Sequence, residues 1–263
     1  MKRYLVNLDR RPDRLGTMQA RAAALGLALE RVAALDAAAA DPAAMDGWFA
    51  RSGPLGEIPR GDKACLLSHR RAWELFLQSG DSHAVFLEDD VVLSTAAGAL
   101  LRDAGWIPAG VPVVKLEHYG PPGQRVLLRD FRAVGTDFSL ARMLSRHTGA
   151  AAYILSRTAA RLLVAQTHFT LPVDHLLFNP NNSPLFAHLS PWQLLPAIAR
   201  QEQFAEARPE KSDIARSREG LRAFGLTYVR RELMRFGYDL KLVPRQLAAL
   251  ARGAKFVAMK TAP

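Results

Sequence analysis

Three consecutive carboxylates follow a short apolar run in the sequence FLEDD at residues 86–90. The run predicts a buried strand, and open α/β sheets place their ligands beyond the carboxyl ends of such strands. Adjacent acids repel one another without a counter-charge, and carboxylate oxygens suit Mg²⁺ and Mn²⁺, which bind alongside substrate phosphates. Glu88, Asp89 and Asp90 therefore predict a metal and diphosphate site. The alternative is an acidic turn or helix cap, and the triplet alone does not decide between the two.

Other polar residues lie where a strand or helix can present them to a ligand. Lys115 falls within an apolar run, so it must pair with a carboxylate or reach a phosphate. Asp174 follows Pro172 at the start of a short helical pattern, where an acid either faces a cleft or simply complements the helix dipole. His69 lies on the apolar face of a predicted helix, and ordinary burial explains it well.

The elements that must position these residues alternate between strands and helices. Apolar runs predict strands at 3–8, 29–35, 83–87, 111–117 and 151–155. Helices are predicted to begin at Pro12, Asp62 and Ser156 and just after Pro172. This order predicts an α/β fold with a mostly parallel central sheet flanked by helices.

The 263-residue chain is 49% hydrophobic and carries a net charge of +10, which is unevenly distributed. Residues 208–263 hold 13 Lys and Arg against 5 Asp and Glu, so the charge lies mainly in this tail. Hydrophobic periodicity is lost over 205–220, which predicts a catalytic domain at 1–207 and a basic, amphipathic, helical extension at 208–263. The extension carries two apolar stripes at helical spacing, Val229-Leu233-Phe236-Leu240 and Leu247-Leu250-Ala254-Val257.

Basic residues flank both stripes, which suits a helix lying on an anionic membrane, although packing against the catalytic domain is an equal alternative. No nucleic acid partner is expected, because no binding motif accompanies the charge. No apolar run is long enough to span a membrane, and early charges interrupt any secretory signal. Cys65 is the single cysteine, which excludes an intrachain disulfide. We expect a cytoplasmic protein, peripheral on the cytoplasmic face of the inner membrane.

Seven segments in collinear order over residues 3–205 resemble glycosyltransferase family 25, the lipooligosaccharide-biosynthesis family that also contains relatives of the collagen galactosyltransferases. They are YLVNLDRRPDRL (4–15), ERVAALDA (30–37), KACLLSHRRAW (63–73), FLEDDVVLS (86–94), VVKLE (113–117), AAYILSRTAARLL (151–163) and PVDHLLF (172–178). The resemblance implies a GT-A-type, Rossmann-like fold, a nucleotide-sugar donor such as UDP-galactose, a divalent metal, Mn²⁺ or Mg²⁺, and inversion at the anomeric carbon. The chain departs from the family pattern in the loop 56–65, where PRGDK separates GEI from Ala64-Cys65.

The resemblance also implies roles for individual residues. Asp90 and Glu88 would hold the metal. His188 is a further candidate ligand by analogy with the late histidine of some GT-A enzymes, although its segment AHLSPW carries no motif that assigns it. Asp174 would act as the general base that inversion requires, with Glu117 as the fallback. The donor nucleotide sugar would be bound or enclosed by Asn7, Asp9, Arg14, Asp36, Ser68, His69, Lys115 and Asp89.

These features together predict transfer of a hexose, galactose by the resemblance, from UDP-galactose to a sugar hydroxyl of lipooligosaccharide, lipopolysaccharide or a related surface glycan. Two alternatives use the same features differently. A metal-dependent phosphohydrolase also uses clustered acids, although such sites usually recruit more histidines and carboxylates. A non-enzymatic basic protein that binds membrane or RNA would leave the triplet a purely structural role.

Overall fold

The computed structural model describes residues 1–121, 123–205 and 226–263. The predicted boundary at 207/208 lies outside this part of the chain, and so do the side chains of the predicted stripe at Val229, Leu233 and Phe236. The strands are β1 (Lys2–Asn7), β2 (Glu30–Ala33), β3 (His83–Glu88), β4 (Val91–Leu93), β5 (Val113–Lys115), β6 (Glu117–His118), β7 (Arg125–Val134), β8 (Phe138–Met143), β9 (Ala152–Ser156), β10 (Trp192–Leu195), β11 (Ala199–Gln201) and β12 (Lys255–Ala258). The helices are α1 (Pro12–Ala24), α2 (Pro42–Asp46), α3 (Arg60–Gln78), α4 (Ala97–Leu100), α5 (Arg157–Val164), α6 (Val173–Phe178), α7 (Phe186–Leu189), α8 (Glu202–Ala205) and α9 (Leu226–Ala251).

The fold is mixed α/β, built around a nine-stranded sheet in the order β12-β7-β8-β10-β5-β9-β3-β1-β2. A second sheet has the order β4-β11-β6. The prediction of a mostly parallel sheet is wrong, because β9 runs antiparallel to both β3 and β5, and β7, β8, β10 and β12 also pair antiparallel. Apolar runs identify buried strands but do not give their direction. The hairpin β7–β8, which supplies much of the antiparallel part, was not predicted at all.

An aromatic ladder fixes the register of the central strands that carry the acidic triplet. Tyr4 of β1 lies opposite Phe86 of β3, and Phe86 lies opposite Tyr153 of β9. Their rings stack with centroids 5.7 and 5.2 Å apart, and all three side chains are buried. Cross-strand aromatic pairs stabilise a sheet beyond the area they bury. The ladder therefore holds the ends of β1 and β3 side by side, where Asn7 and Glu88 lie.

Helix α3 packs across this ladder through its predicted apolar face. His69, Trp73 and Phe76 are fully buried, while Cys65, one turn earlier, is only half-buried. The helix begins at Arg60 after Pro59, two residues before the predicted start. Asp62 therefore does not cap the helix but lies in its first turn, where a carboxylate complements the helix dipole.

The C-terminal segment returns to the main sheet. Helix α9 ends at Ala251, and β12 then pairs antiparallel with β7. The predicted second helical stripe is therefore wrong beyond Leu250, because Ala254 follows the helix and Val257 lies in a strand. A sequence window of period 3.6 cannot detect a glycine turn such as that at Gly253, which interrupts the pattern. None of the helices in the described ranges is long and apolar enough to cross a membrane.

Candidate active site

A cleft of about 460 Å³ opens where β1 and β3 end, as the sequence predicts for the acidic triplet. Its walls come from the segments that follow β1, β2 and β3, from the first turns of α3 and α6, and from the loop before β9. Among the predicted site residues, the cleft is lined by Asn7, Arg14, Asp36, Ser68, Glu88, Asp89, Asp90 and Asp174. The topology thus brings together residues that are up to 167 positions apart in the sequence.

Asp89 lines the cleft and is held there by residues of β1 and α1. Asn7 Nδ2 donates to Asp89 Oδ2 at 2.7 Å, and Arg14 Nη1 lies 3.3 Å from Asp89 Oδ1. Burial raises the pKa of the Asp89 carboxyl, and the hydrogen bond from Asn7 and the charge of Arg14 oppose that increase. Both predicted donor residues, Asn7 and Arg14, therefore hold the triplet in place.

Asp90 is buried, and its Oδ1 has no hydrogen-bond partner within the part of the chain that the structure describes. Burial, and then the charge of Glu88, raise the pKa of the Asp90 carboxyl well above its usual value. A buried acceptor without a partner costs about 1–3 kcal/mol, and more when it is charged. A bound ion or water would satisfy this oxygen from outside the protein chain.

A divalent cation fits the oxygens at this point. Glu88 and Asp90 both line the cleft, and the unsatisfied Asp90 Oδ1 lies among negative charges that a cation would compensate. Carboxylate oxygens are the ligands that Mg²⁺ and Mn²⁺ prefer. His188, the third predicted ligand, is exposed on α7 and is not among the residues that line the cleft.

Asp174 lies in the first turn of α6, half-buried at the cleft wall. Its Oδ1 accepts a hydrogen bond from the backbone N–H of His175 at 2.8 Å. The short helix begins after Pro172, as the sequence predicts, and its other inward residues are apolar and buried. A carboxylate in this position faces the same space as the triplet.

Lys115 and Glu117 form a buried pair behind the cleft, 3.6 Å apart. Lys115 Nζ also donates to the carbonyl oxygen of Gly149. Glu117 Oε2 accepts from the backbone N–H of Ala151 at 2.6 Å and of Ala152 at 3.1 Å. Burial lowers the pKa of Lys115 and raises that of Glu117, while each favours the charged form of the other. Of the two alternatives predicted for Lys115, a carboxylate partner or a phosphate, the structure shows the carboxylate partner. The pair also shapes the loop at Gly149.

The remaining predicted donor residues differ in their distance from the cleft. Asp36 lines it and pairs with Arg10, whose Nε lies 2.7 Å away. Ser68 Oγ accepts from the backbone N–H of Leu35 at 2.8 Å, so it holds the segment after β2. Asp9 is largely exposed and pairs with Arg31, and it is not among the lining residues.

The sequence did not single out several residues that line the cleft. Tyr119 follows β6, Gln201 is the last residue of β11, Gln203 lies in α8, and Gly149 precedes β9. Gly149 has φ of +89°, and a Cβ there would lie 2.3 Å from Glu117 Oε1. A glycine just before a strand is the one sequence signal that could have indicated this close approach.

Comparison with known proteins identifies the class to which this fold and cleft belong. Residues 1–177 match glycosyltransferase family 25 (LPS biosynthesis protein), and the chain belongs to this family. It is 32% identical over 158 residues to the lacto-N-neotetraose biosynthesis glycosyltransferase LgtB of Neisseria gonorrhoeae, covering 54% of this chain and 53% of that protein.

Two further relatives are more distant. The lacto-N-neotetraose biosynthesis glycosyltransferase LgtE of the same organism is 26% identical over 196 residues, covering 68% of this chain and 66% of the relative. The lipooligosaccharide biosynthesis protein lex-1 of Haemophilus influenzae is 26% identical over 158 residues, covering 55% and 50%. The chain thus spans about half to two thirds of the length of these relatives.

Proposed function

We propose that the protein transfers a hexose, galactose from UDP-galactose, to a sugar hydroxyl of a lipooligosaccharide, lipopolysaccharide or related surface glycan, with inversion and with the help of Mn²⁺ or Mg²⁺. The observation that carries the proposal is the buried Asp90 Oδ1, unsatisfied beside Glu88 in a cleft at the strand ends. Family membership and the names of the relatives, which concern lipooligosaccharide and lacto-N-neotetraose synthesis, support the substrate class. We also propose that the mixed α/β fold is of the GT-A type.

Asp90 and Glu88 are the residues proposed to hold the cation. When bound, a divalent ion there would supply electrostatic stabilisation of the charge that develops on the departing nucleotide diphosphate. Asp89 is proposed as a structural partner in this site, because Asn7 and Arg14 already engage both of its oxygens. Arg14 can also pair with a diphosphate oxygen.

Asp174 is proposed as the general base. In a single displacement the acceptor oxygen bonds to the anomeric carbon, the bond from that carbon to the diphosphate oxygen breaks, and the hydroxyl proton passes to the Asp174 carboxylate. The position of Asp174 on the wall of the same cleft as the triplet supports this assignment. Glu117 is the weaker choice, because backbone N–H groups and Gln201 occupy its carboxylate.

Association with an anionic membrane is proposed for the C-terminal part. Its support is an exposed apolar face on the last turns of α9, formed by Leu240, Val243, Leu247 and Leu250. Residues 240–263 also contain five Lys and Arg and no Asp or Glu. Such a surface suits the cytoplasmic leaflet, where anionic head groups attract basic segments and the interface accepts apolar side chains. A lipid-linked acceptor would then meet the enzyme at the membrane surface.

Vesicle sedimentation tests the membrane proposal. We expect the protein to sediment with anionic vesicles and to remain free with neutral ones, and we expect Leu247→Ser to weaken anionic binding several-fold. Equal behaviour of the parent and the variant would mean that this face contacts protein instead.

Calorimetric titration of UDP-galactose with and without Mn²⁺ tests the catalytic proposal. We expect metal-dependent binding by the parent protein and loss of the metal dependence in Asp90→Ala. Product analysis then distinguishes the reaction classes, because a glycosyltransferase yields a glycosylated acceptor whereas a phosphohydrolase releases phosphate. If UDP-galactose binding is unchanged by Mn²⁺ and by Asp90→Ala, the assignment of the metal site to Asp90 is contradicted.

A further inference from the structure

Three side chains with different metal-ligating atoms meet at one wall of the cleft. Cys65 and His69 lie four residues apart on α3, so they project from the same face of the helix, and Glu88 ends the neighbouring strand β3. Cys65 Sγ is 3.8 Å from Glu88 Oε1, and His69 Nε2 is 3.1 Å from the same oxygen. All three ligand atoms lie within 4.8 Å of one another.

These separations are close to those of a tetrahedral zinc site. Typical bond lengths to sulfur, nitrogen and oxygen place ligand atoms about 3.6 Å apart for S and O and about 3.4 Å apart for N and O. The observed distances of 3.8 and 3.1 Å differ from these by a few tenths of an ångström. The third separation, from Cys65 Sγ to His69 Nε2, lies within 4.8 Å, so side-chain rotation would bring the three atoms around one ion.

We propose that Cys65, His69 and Glu88 form a binding site for a thiophilic divalent cation, Zn²⁺ in particular, which shares only Glu88 with the proposed hard-cation site at Asp90. A thiolate and an imidazole favour Zn²⁺ over Mg²⁺ or Mn²⁺, which prefer oxygen ligands alone. Cys65 and Glu88 both line the cleft, so the fourth coordination position faces the space where substrate binds. Three protein ligands with one open position is a common zinc arrangement.

The surroundings of His69 supply the support that metal-ligating histidines usually have. Its Nδ1 lies 2.8 Å from the hydroxyl oxygen of Tyr153, and Trp73 Nε1 donates to the same oxygen at 2.8 Å. All three side chains are fully buried. The tyrosine oxygen has two lone pairs, so it can accept from both nitrogens and leave His69 Nε2 available to a metal. Partners of this kind orient the imidazole ring before an ion arrives.

Occupancy of this site has a consequence for transfer, which rests on the proposed function, whereas the site itself does not. Binding would release the thiol proton of Cys65 to solvent and would engage the Glu88 carboxylate. Glu88 would then be shared between the two sites or withdrawn from the hard-cation site. We therefore expect Zn²⁺ to inhibit transfer in competition with Mn²⁺.

Titration with Co²⁺, a spectroscopic substitute for Zn²⁺, tests the site without any activity measurement. Cys65 is the only cysteine, so a thiolate-to-cobalt charge-transfer band can come from no other residue. We expect the band in the parent protein, its removal by added Zn²⁺, and its absence in Cys65→Ser. Asp90→Asn is the matched control, and it should keep the band. Tyr153→Phe should weaken Zn²⁺ binding by about 10–100-fold, since it removes the oxygen that orients His69.

Two results would overturn the proposal. One is a folded parent protein that shows no charge-transfer band at saturating Co²⁺, and the other is equal Zn²⁺ affinity in the parent and Cys65→Ser. If Tyr153→Phe does not fold, as circular dichroism would reveal, the comparison with Cys65→Ser still decides the question. Mn²⁺-dependent binding of UDP-galactose is measured separately, so failure of the proposed function is distinguishable from failure of this site.

Discussion

Asp90→Asn is expected to stabilise the protein in the absence of metal. Burial and Glu88 raise the pKa of the Asp90 carboxyl, so the folded state holds its proton to higher pH than the unfolded state does. Stability is therefore lost as pH rises above the unfolded pKa of about 3.9, and the cost is present at neutral pH. The amide of Asn cannot ionise, so it removes the cost of the buried charge, about 1–3 kcal/mol, which corresponds to a gain of about 2–10 °C in the melting temperature of the variant.

In the presence of a divalent metal, the parent protein should be more stable than Asp90→Asn. At a Mn²⁺ concentration 100 times its dissociation constant, the parent gains about 2.7 kcal/mol, because only the folded state binds the ion. The variant has lost a ligand and should gain much less. Thermal denaturation followed by circular dichroism, in chelator and in Mn²⁺, measures both effects.

Glu57→Gln is the control, since it changes the net charge equally at an exposed position and should shift stability by less than about 0.5 kcal/mol. The reasoning is refuted if Asp90→Asn melts below the parent in chelator or responds to Mn²⁺ as the parent does.

Three further predictions concern Asp174, the buried His147 and Gly149. Asp174→Asn should keep donor affinity but reduce single-turnover transfer by about two orders of magnitude or more, and unchanged transfer would place the base elsewhere. Burial holds the pKa of His147 well below 6.5, so unfolding should become easier by up to about 1.4 kcal/mol per pH unit below 6.5, and urea titrations of His147→Gln should show a flatter pH dependence. Gly149→Ala should destabilise the protein by at least about 2 kcal/mol in the same assay, because its Cβ would lie 2.6 Å from Tyr119 Cγ at a positive φ.

The part of the fold that carries the triplet could be predicted because its signals are local. The strand ending at Glu88 is a continuous apolar run, and the helix beginning at Pro12 has both an initiating proline and a terminating glycine. The helix after Ser156 was also predicted, and Ser156 Oγ accepts from the backbone N–H of Ala159 as a capping residue should.

Other features depend on partners that are distant in the sequence. The direction of β9 is set by its two neighbours, and the pairing of Glu117 with Gln201 depends on a strand, β11, that is too short for periodicity to reveal. Leu116 separates β5 and β6, which belong to different sheets. The segment VVKLE is therefore predicted as one strand from its sequence but forms two. The half-exposed Cys65 could be recognised as a neighbour of Glu88 only once β3 and α3 were placed together.

Strand β12 is the outermost strand at one edge of the main sheet and covers β7. It pairs with Val126, Leu127 and Leu128 of β7, which would otherwise present open backbone hydrogen-bonding groups at the sheet boundary. Uncovered strands of this kind recruit strands from neighbouring molecules. A chain shortened before Lys255 should therefore self-associate, and two intact copies brought to high concentration have a route to exchange their last strands.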